Sequence, residues 1–325
     1  MKISVAMCTY NGARYLRQQL ESIAAQTQLP YELIVCDDTS TDESVTIIEE
    51  FAAGAHFPVQ VHLNTTNLGS TKSFERAISL CSGDVIALCD QDDIWLSSKL
   101  ARFAVEFARK FQVGMVFSDA EVVDEDLRPV GYSLWDKLNF GRDERERLLS
   151  GRGFGSLLQG ATVTGATAAF RARFKSLLLP IPDDLPIIHD AWIALLIAGV
   201  SELVPLSERL VKYRQHTGQQ VGALERKGLR YPQNSVREAL QRENPYAEML
   251  ATAEAIHRRL TDKQKEFDSR RVLPALEARM IHLAARSGLP NARLSRASSV
   301  FSELLSGRYH RYSKGFRSAL KDLLA

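Results

Sequence analysis

Three carboxylates, Asp90, Asp92 and Asp93, stand within the stretch Leu88–Trp95, LCDQDDIW. They lie directly behind Val85-Ile86-Ala87-Leu88, a short apolar run after Gly83-Asp84 that is predicted to be a buried parallel strand. In open α/β sheets, ligands bind beyond the carboxyl ends of the strands, so the acids fall at an expected site edge. Neighbouring negative charges repel, and the flanking Ile94 and Trp95 are apolar, so a positive partner is called for. A hard divalent cation meets that need, because Mg²⁺ commonly joins one or two carboxylates to substrate phosphates. A solvated acidic turn capping the next helix is the alternative. A second candidate is His189-Asp190, which opens an apolar helix and is either a helix cap or an acid–base group held at a cleft.

The elements that must position these groups follow in order. Lys2–Met7 is predicted as a first strand, followed by a turn in which Asn11-Gly12 accommodates positive φ. A helix is expected over Arg14–Ala25, a second strand over Glu32–Cys36, and a cap-rich cluster over Asp37–Asp42. A helix over Glu43–Ala53, a strand over Val59–Leu63, a polar loop over Asn64–Ser70 and a helix over Thr71–Cys81 lead to the acidic stretch. A helix over Ser97–Phe111 and a strand over Val113–Ser118 continue the alternation, which predicts βαβ units and a mostly parallel sheet flanked by helices. Right-handed crossovers then bring Thr9, Asp37, Asp38, Asp90, Asp92 and Asp93 to one edge.

Further on, Gly131–Gly153 is expected as a mobile charged loop, Thr162–Phe170 as a strand, and Glu202–Pro205 and Arg209–Tyr213 as two short strands. Tyr132, Trp135, Trp192 and the Gly151–Gly165 region are the expected walls of a substrate pocket. The α/β part is expected to span 1–224 and a helical basic region 225–325, with stripes Leu250-Ala253-Ile256-Leu260 and Val272-Leu276-Leu283.

Composition is that of an ordinary soluble chain: 325 residues, 45% hydrophobic, 25% charged, net charge +2. No stretch reads as a secretory leader or a membrane span. Cys8, Cys36, Cys81 and Cys89 lack metal or redox spacing, so buried thiols in a cytoplasmic setting are expected. The charge is unevenly placed: residues 226–325 carry a balance of +10 and residues 1–225 one of −8. The basic, aromatic end suits a contact with a membrane surface as well as packing on the main domain. Nothing points to nucleic acid, and self-association is left open.

Four segments match one family in order: Cys8-Thr9-Tyr10-Asn11-Gly12, Val35-Cys36-Asp37-Asp38-Thr39-Ser40-Thr41-Asp42, Asn67-Leu68-Gly69, and Gly83-Asp84 through Asp90-Gln91-Asp92-Asp93. Over roughly residues 2–220 the chain resembles a family 2 glycosyltransferase of the GT-A fold. The Asp-Gln-Asp-Asp-Ile-Trp form and Tyr213-Arg214-Gln215-His216 resemble the bacterial rhamnosyltransferase branch. One position departs from the family pattern: Thr39 stands where glycine is usual.

The resemblance implies an inverting, metal-dependent transfer of a sugar, rhamnose on the branch resemblance, from a dTDP- or UDP-sugar to a glycan or lipid-linked acceptor. Thr9, Tyr10 and Asp37 would hold the nucleotide base, with Asn11, Asp38, Asn67 and Gln91 also along the donor. Asp90 would meet the ribose or the metal, Asp92 would ligate Mg²⁺ or Mn²⁺, and His216 would ligate the metal or touch the diphosphate. Asp190 would be the base, and Lys72 and Arg76 could reach phosphates. The bacterial cytoplasmic membrane face is the expected setting. Two other classes compete: a metal-dependent phosphotransferase and a non-catalytic nucleotide-sugar binder. A Walker loop is missing, and Gly151-Arg152-Gly153-Phe154-Gly155 lacks the dinucleotide spacing.

Overall fold

The computed structural model describes residues 1–159, 163–219 and 245–324. Its first half runs β1 (Ile3–Thr9), α1 (Ala13–Ala24), β2 (Glu32–Asp37), α2 (Ser44–Gly54), β3 (Val59–Leu63), α3 (Gly69–Leu80), β4 (Val85–Cys89), β5 (Ile94–Trp95), α4 (Lys99–Arg109) and β6 (Val113–Val123). Then come β7 (Pro129–Ser133), α5 (Leu134–Leu138), α6 (Arg142–Leu149), α7 (Gly153–Gln159), β8 (Ala168–Arg171), α8 (Lys175–Leu178), α9 (His189–Val200) and β9 (Glu202–Arg214). The described strands form one sheet in the order β3-β2-β1-β4-β8-β6-β9-β5, with β7 beside β6.

β3, β2, β1 and β4 are parallel, joined by helical crossovers. The residues of β2, β1 and β4 are buried on both faces and alternate between two cores, while β3 at the edge is half exposed. Ile3, Val5, Met7, Leu33, Val35 and Val85 pack with Leu16, Leu20, Leu100 and Phe103 of α1 and α4. Ala6, Ile34, Cys36, Ile86 and Leu88 pack with Phe74 and Ile78 of α3 and Trp192 and Ile193 of α9. This period-two division is what buries a parallel sheet. α9 is buried nearly all round, as its uniform apolarity requires. Register carries the strand ends to one edge: Thr9 lies opposite Asp37, and Met7 opposite Cys89.

The later half differs from expectation in three places. The region expected as a mobile loop is ordered as β7, α5 and α6, with Ser133 and Asp136 forming a reciprocal cap at the start of α5. The expected strand over Thr162–Phe170 is only β8; Gly165–Thr167 is a single 3-10 turn, and Gly160 and Thr162 lie outside the described residues. The two short strands are one, β9, whose pairing with β6 shifts register near Asp119 and carries the chain past Pro205 without a break.

The expected boundary at 224/225 lies outside the described residues. Past it, α10 (Pro245–Asp262) and α11 (Leu273–Ser287) place Ala253, Ile256, Leu260, Leu276 and Leu283 in the same core as α9. Arg259 on α10 donates to the Leu177 carbonyl at 2.9 Å and the Pro180 carbonyl at 2.7 Å. These helices therefore complete the sheet's core. Leu260→Ala should cost about 3 kcal/mol. Urea unfolding followed by both tryptophan fluorescence and far-UV circular dichroism should show the two signals shifting together. Loss of helical signal with the tryptophan transition unmoved would contradict a shared core.

Candidate functional site

The site assembles where β1, β2 and β4 end. Asp37, almost fully buried, receives the Thr9 hydroxyl at 2.7 Å and the Ser40 hydroxyl at 2.6 Å on Oδ2, and the Ser40 amide at 2.8 Å on Oδ1. A carboxylate offers about four acceptor positions, so among the described residues one on Oδ1 is left. Asn11 takes φ 46, as its place before Gly12 predicts, and its Oδ1 accepts from the Thr41 amide at 2.8 Å. Thr39 sits at φ 68. The left-handed conformation that suits glycine is therefore kept, and a β-branched residue is forced into it, a conformation that costs roughly 1–2 kcal/mol.

Gln91 grips the backbone of Tyr10 from both sides: the Tyr10 amide donates to Oε1 at 2.8 Å, and Nε2 donates to the Tyr10 carbonyl at 3.0 Å. A Cβ on Gly12 would press on that amide, so a larger residue there would displace Gln91. Gln91 thus joins the acidic loop to the β1 turn. Asp38 is directed elsewhere. Its carboxylate accepts from Asn64 Nδ2 at 2.7 Å, the Leu68 amide at 2.7 Å and the Gly69 amide at 2.8 Å, which anchors the start of α3. Asn67 returns a bond to the Asp38 carbonyl at 3.1 Å. Lys72 is engaged with Glu75 at 3.0 Å and the Ile181 carbonyl at 2.7 Å, and Arg76 with Asn64 Oδ1 at 2.5 Å. These four residues build the loop behind the site.

The acids after β4 have three different surroundings. The Asp92 carboxylate meets His216 Nε2 at 2.8 Å, with the His216 ring against Tyr15 at 4.6 Å. Asp90 is half-buried and, among the described residues, no donor reaches its carboxylate. Burial first, then Asp92 and Asp190, push its pKa up to about 7, with Lys99 opposing. Asp93 is fully buried; Oδ1 accepts from the Arg214 amide at 3.0 Å and, among the described residues, Oδ2 has no partner. Its pKa is raised by burial and by Asp92 and Asp90.

Two buried basic side chains support this loop and its flank, and burial lowers the pKa of one of them, Lys99, to about 7. Arg214, almost fully buried, donates to the Asp92 carbonyl at 2.7 Å, the Glu125 carbonyl at 2.5 Å and Gln18 Oε1 at 2.6 Å, and lies over the Tyr15 ring. Lys99, also buried, donates to the Ala166 carbonyl at 2.6 Å and sits 3.5 Å from the Trp95 ring centre. Neither role is visible in sequence, because both residue types normally face water. The Trp95 four residues before Lys99 is the one local hint.

Asp190 closes the opposite side. Its Oδ2 accepts from the Gly165 amide at 3.1 Å and its Oδ1 from the Ala191 amide at 2.6 Å. Its charge is one of the causes that raise the pKa of Asp90, so the two carboxyls interact. Trp192, expected at a pocket wall, is buried with its indole N–H on the Leu178 carbonyl at 2.9 Å. Trp135 is packed between Phe117 and Phe140. Both are core residues, leaving Tyr132 as the exposed member of that set.

Whether these residues suit a divalent cation follows from their chemistry. A carboxylate without a donor beside a carboxylate–imidazole pair supplies two hard oxygen ligands and one borderline nitrogen, and diphosphate oxygens would complete the shell. Among the described residues, no three His, Cys, Asp or Glu side chains are arranged to hold an ion by themselves. The set therefore fits an ion shared with a phosphate ligand.

The sequence profile of glycosyl transferase family 2 matches residues 4–178. The chain belongs to that family. An uncharacterised protein of Mycobacterium tuberculosis is 29% identical over 219 residues, 66% of this chain and 59% of that one. The dTDP-rhamnosyl transferase RfbG of Shigella flexneri is 35% identical over 98 residues, 29% of this chain and 34% of its own. The chain thus spans less than two thirds of the length of these relatives. Among solved structures, residues 1–349 of S. aureus TarS in complex with UDP-GlcNAc superpose with a TM-score of 0.58 at 17% identity, covering 94% of this chain and 81% of TarS. That likeness establishes the GT-A fold.

His189 supplies a test of the site's local order. It is buried, stacked on Phe74 at 4.2 Å, and burial lowers its pKa to about 4. The unfolded chain takes up a proton near pH 6.5, while the folded chain does so only near pH 4. Its contribution is complete above pH 6.5 and is lost as pH falls through that window. The stability difference between the parent chain and His189→Gln should shrink by about 3 kcal/mol between those limits. Parallel curves for the two in urea melts would contradict a neutral, buried imidazole.

Proposed function

We propose that this chain is an inverting glycosyltransferase that takes its sugar from a pyrimidine nucleoside-diphosphate donor and passes it to a hydroxyl of a glycan or lipid-linked acceptor. Family membership and fold support sugar transfer from a nucleotide donor. The observation that carries the finer reading is the Asp92–His216 contact at 2.8 Å beside Asp90, a carboxyl that no donor reaches among the described residues and that also feels the charge of Asp190.

On this reading Thr9 and Asp37 hold the base. The remaining acceptor position on Asp37 suits the imide N–H that uracil and thymine share. Tyr10, exposed beside them and fixed through its backbone by Gln91, covers the base. Asp92 and His216, with Asp90, hold Mg²⁺ or Mn²⁺ together with the diphosphate. When bound, that ion stabilises the negative charge that grows on the leaving nucleoside diphosphate. Asp190 accepts the proton of the attacking hydroxyl, and its two backbone amides fix the direction of its lone pairs. A rhamnosyl donor is the sugar favoured by RfbG, which shares the dTDP handle in its name.

Asp190→Asn should lower transfer from UDP- or dTDP-sugars by about 10²–10⁴-fold. The rise in melting temperature given by donor with Mn²⁺ should be kept, because the donor's holders are untouched. Transfer at the parental rate would overturn the base assignment.

A further inference from the structure

The helices beyond α11 carry a surface that the catalytic site does not use. α12 (Arg293–Leu305), α13 (Arg308–Tyr312) and α14 (Phe316–Leu324) close around a small core of Val300, Tyr309 and Ala319. The two acids of 293–324 are turned into it. Glu303 is bound by His282 at 2.9 Å and by Arg308, and Asp322 is bound by Arg286 at 2.6 Å and by the Tyr309 hydroxyl at 2.7 Å. The exposed charged residues of 293–324 are therefore all basic, set among apolar and serine side chains.

The apolar residues form stripes rather than scatter. Leu294, Phe301 and Leu305 are seven and four residues apart, so they share about 40° of arc on α12. Leu294 is 89% and Leu305 88% exposed. On α14, Phe316, Leu320 and Leu324 recur every fourth residue and are all exposed. Arg317 and Lys321 follow Phe316 and Leu320 by one position each and lie along the edge of that stripe, both exposed. Isolated exposed leucines need no explanation, but two stripes on adjacent helices with only positive charge around them do.

We propose that this α12–α14 surface docks on an anionic lipid bilayer, lying in the interface plane with its leucines and phenylalanines among the acyl chains and Arg317 and Lys321 on the headgroups. Charge decides between occupants. A second copy of the chain would bring the same positive surface against itself, whereas an anionic leaflet complements it. The stripes are narrow and short, which suits a helix lying on a bilayer, and none of the described helices is long and apolar enough to cross one. This inference is independent of the donor reading.

Flotation of the full chain with vesicles tests it. The protein should float with phosphatidylcholine vesicles containing about one third phosphatidylglycerol and stay behind with phosphatidylcholine alone. Raising salt from about 0.1 M to about 0.5 M should weaken binding. Leu305→Ser, and separately Arg317→Gln with Lys321→Gln, should each reduce binding about tenfold or more with the melting temperature unchanged, since all three side chains face water. No flotation by the parent chain, equal flotation on both vesicle types, or a dimer in sedimentation that Leu305→Ser dissolves would overturn the proposal.

Discussion

Three carboxyl groups crowd the end of β4, where little water is left to screen them, and the rest of the catalytic half is arranged around that repulsion. Two of them, Asp90 and Asp93, have raised pKa values for the same reasons, burial first and then the charge of Asp92. Such a loop would spring apart if held only by its own turn. It is held by Arg214, which binds the Asp92 carbonyl and offers its amide to Asp93, and by Gln91, which clamps Tyr10. β9 therefore has to pass the loop from a distance of more than a hundred residues in sequence, and its bulged pairing with β6 delivers Arg214 and His216 there. The charge of Asp190 adds to that repulsion at Asp90.

The scaffold and the site divide the polar residues between them. Asp38, Asn64 and Asn67 spend their hydrogen bonds on the loop that starts α3, while Asp37 and Thr9 stay at the strand ends. Thr39 holds a strained left-handed turn between the two groups, a local cost of the kind found where a loop geometry is fixed by what it must present. Lys99 links the acidic loop's helix to the turn whose Gly165 amide holds Asp190, so the two sides of the site share one support.

Much of this was legible before the fold was known. Strands buried on both faces leave unbroken apolar runs, and helices between them leave a period of 3.6, so β1 to β4 and α4 could be placed closely, whereas the two-residue β5 left no such run. The acids fell at a strand end for the same reason. The later half was harder because its strands are short or antiparallel and its helices small. The two short strands expected over Glu202–Pro205 and Arg209–Tyr213 are joined through a bulge between Leu206 and Arg209, which interrupts the apolar pattern without ending the strand. Roles of single residues were the least legible. An aspartate in a loop can serve a ligand or a backbone amide, and nothing local separates Asp37 from Asp38. A tryptophan near a glycine-rich stretch suggests a sugar platform, yet Trp192 is enclosed by its own apolar helix. Arg214 and Lys99 ran against the general rule that such cations stay in water.

The central claim is that the Asp90–Asp92–His216 group is incomplete without a divalent cation shared with a diphosphate. Electron paramagnetic resonance of Mn²⁺ tests it most directly, because the free-ion signal falls as the ion is bound. Titrating Mn²⁺ into the chain with UDP or dTDP present should deplete that signal at about one ion per chain beyond what nucleotide alone removes, and Asp92→Asn should abolish the excess. Equal depletion by the parent chain and Asp92→Asn, or none beyond nucleotide alone, would contradict the account.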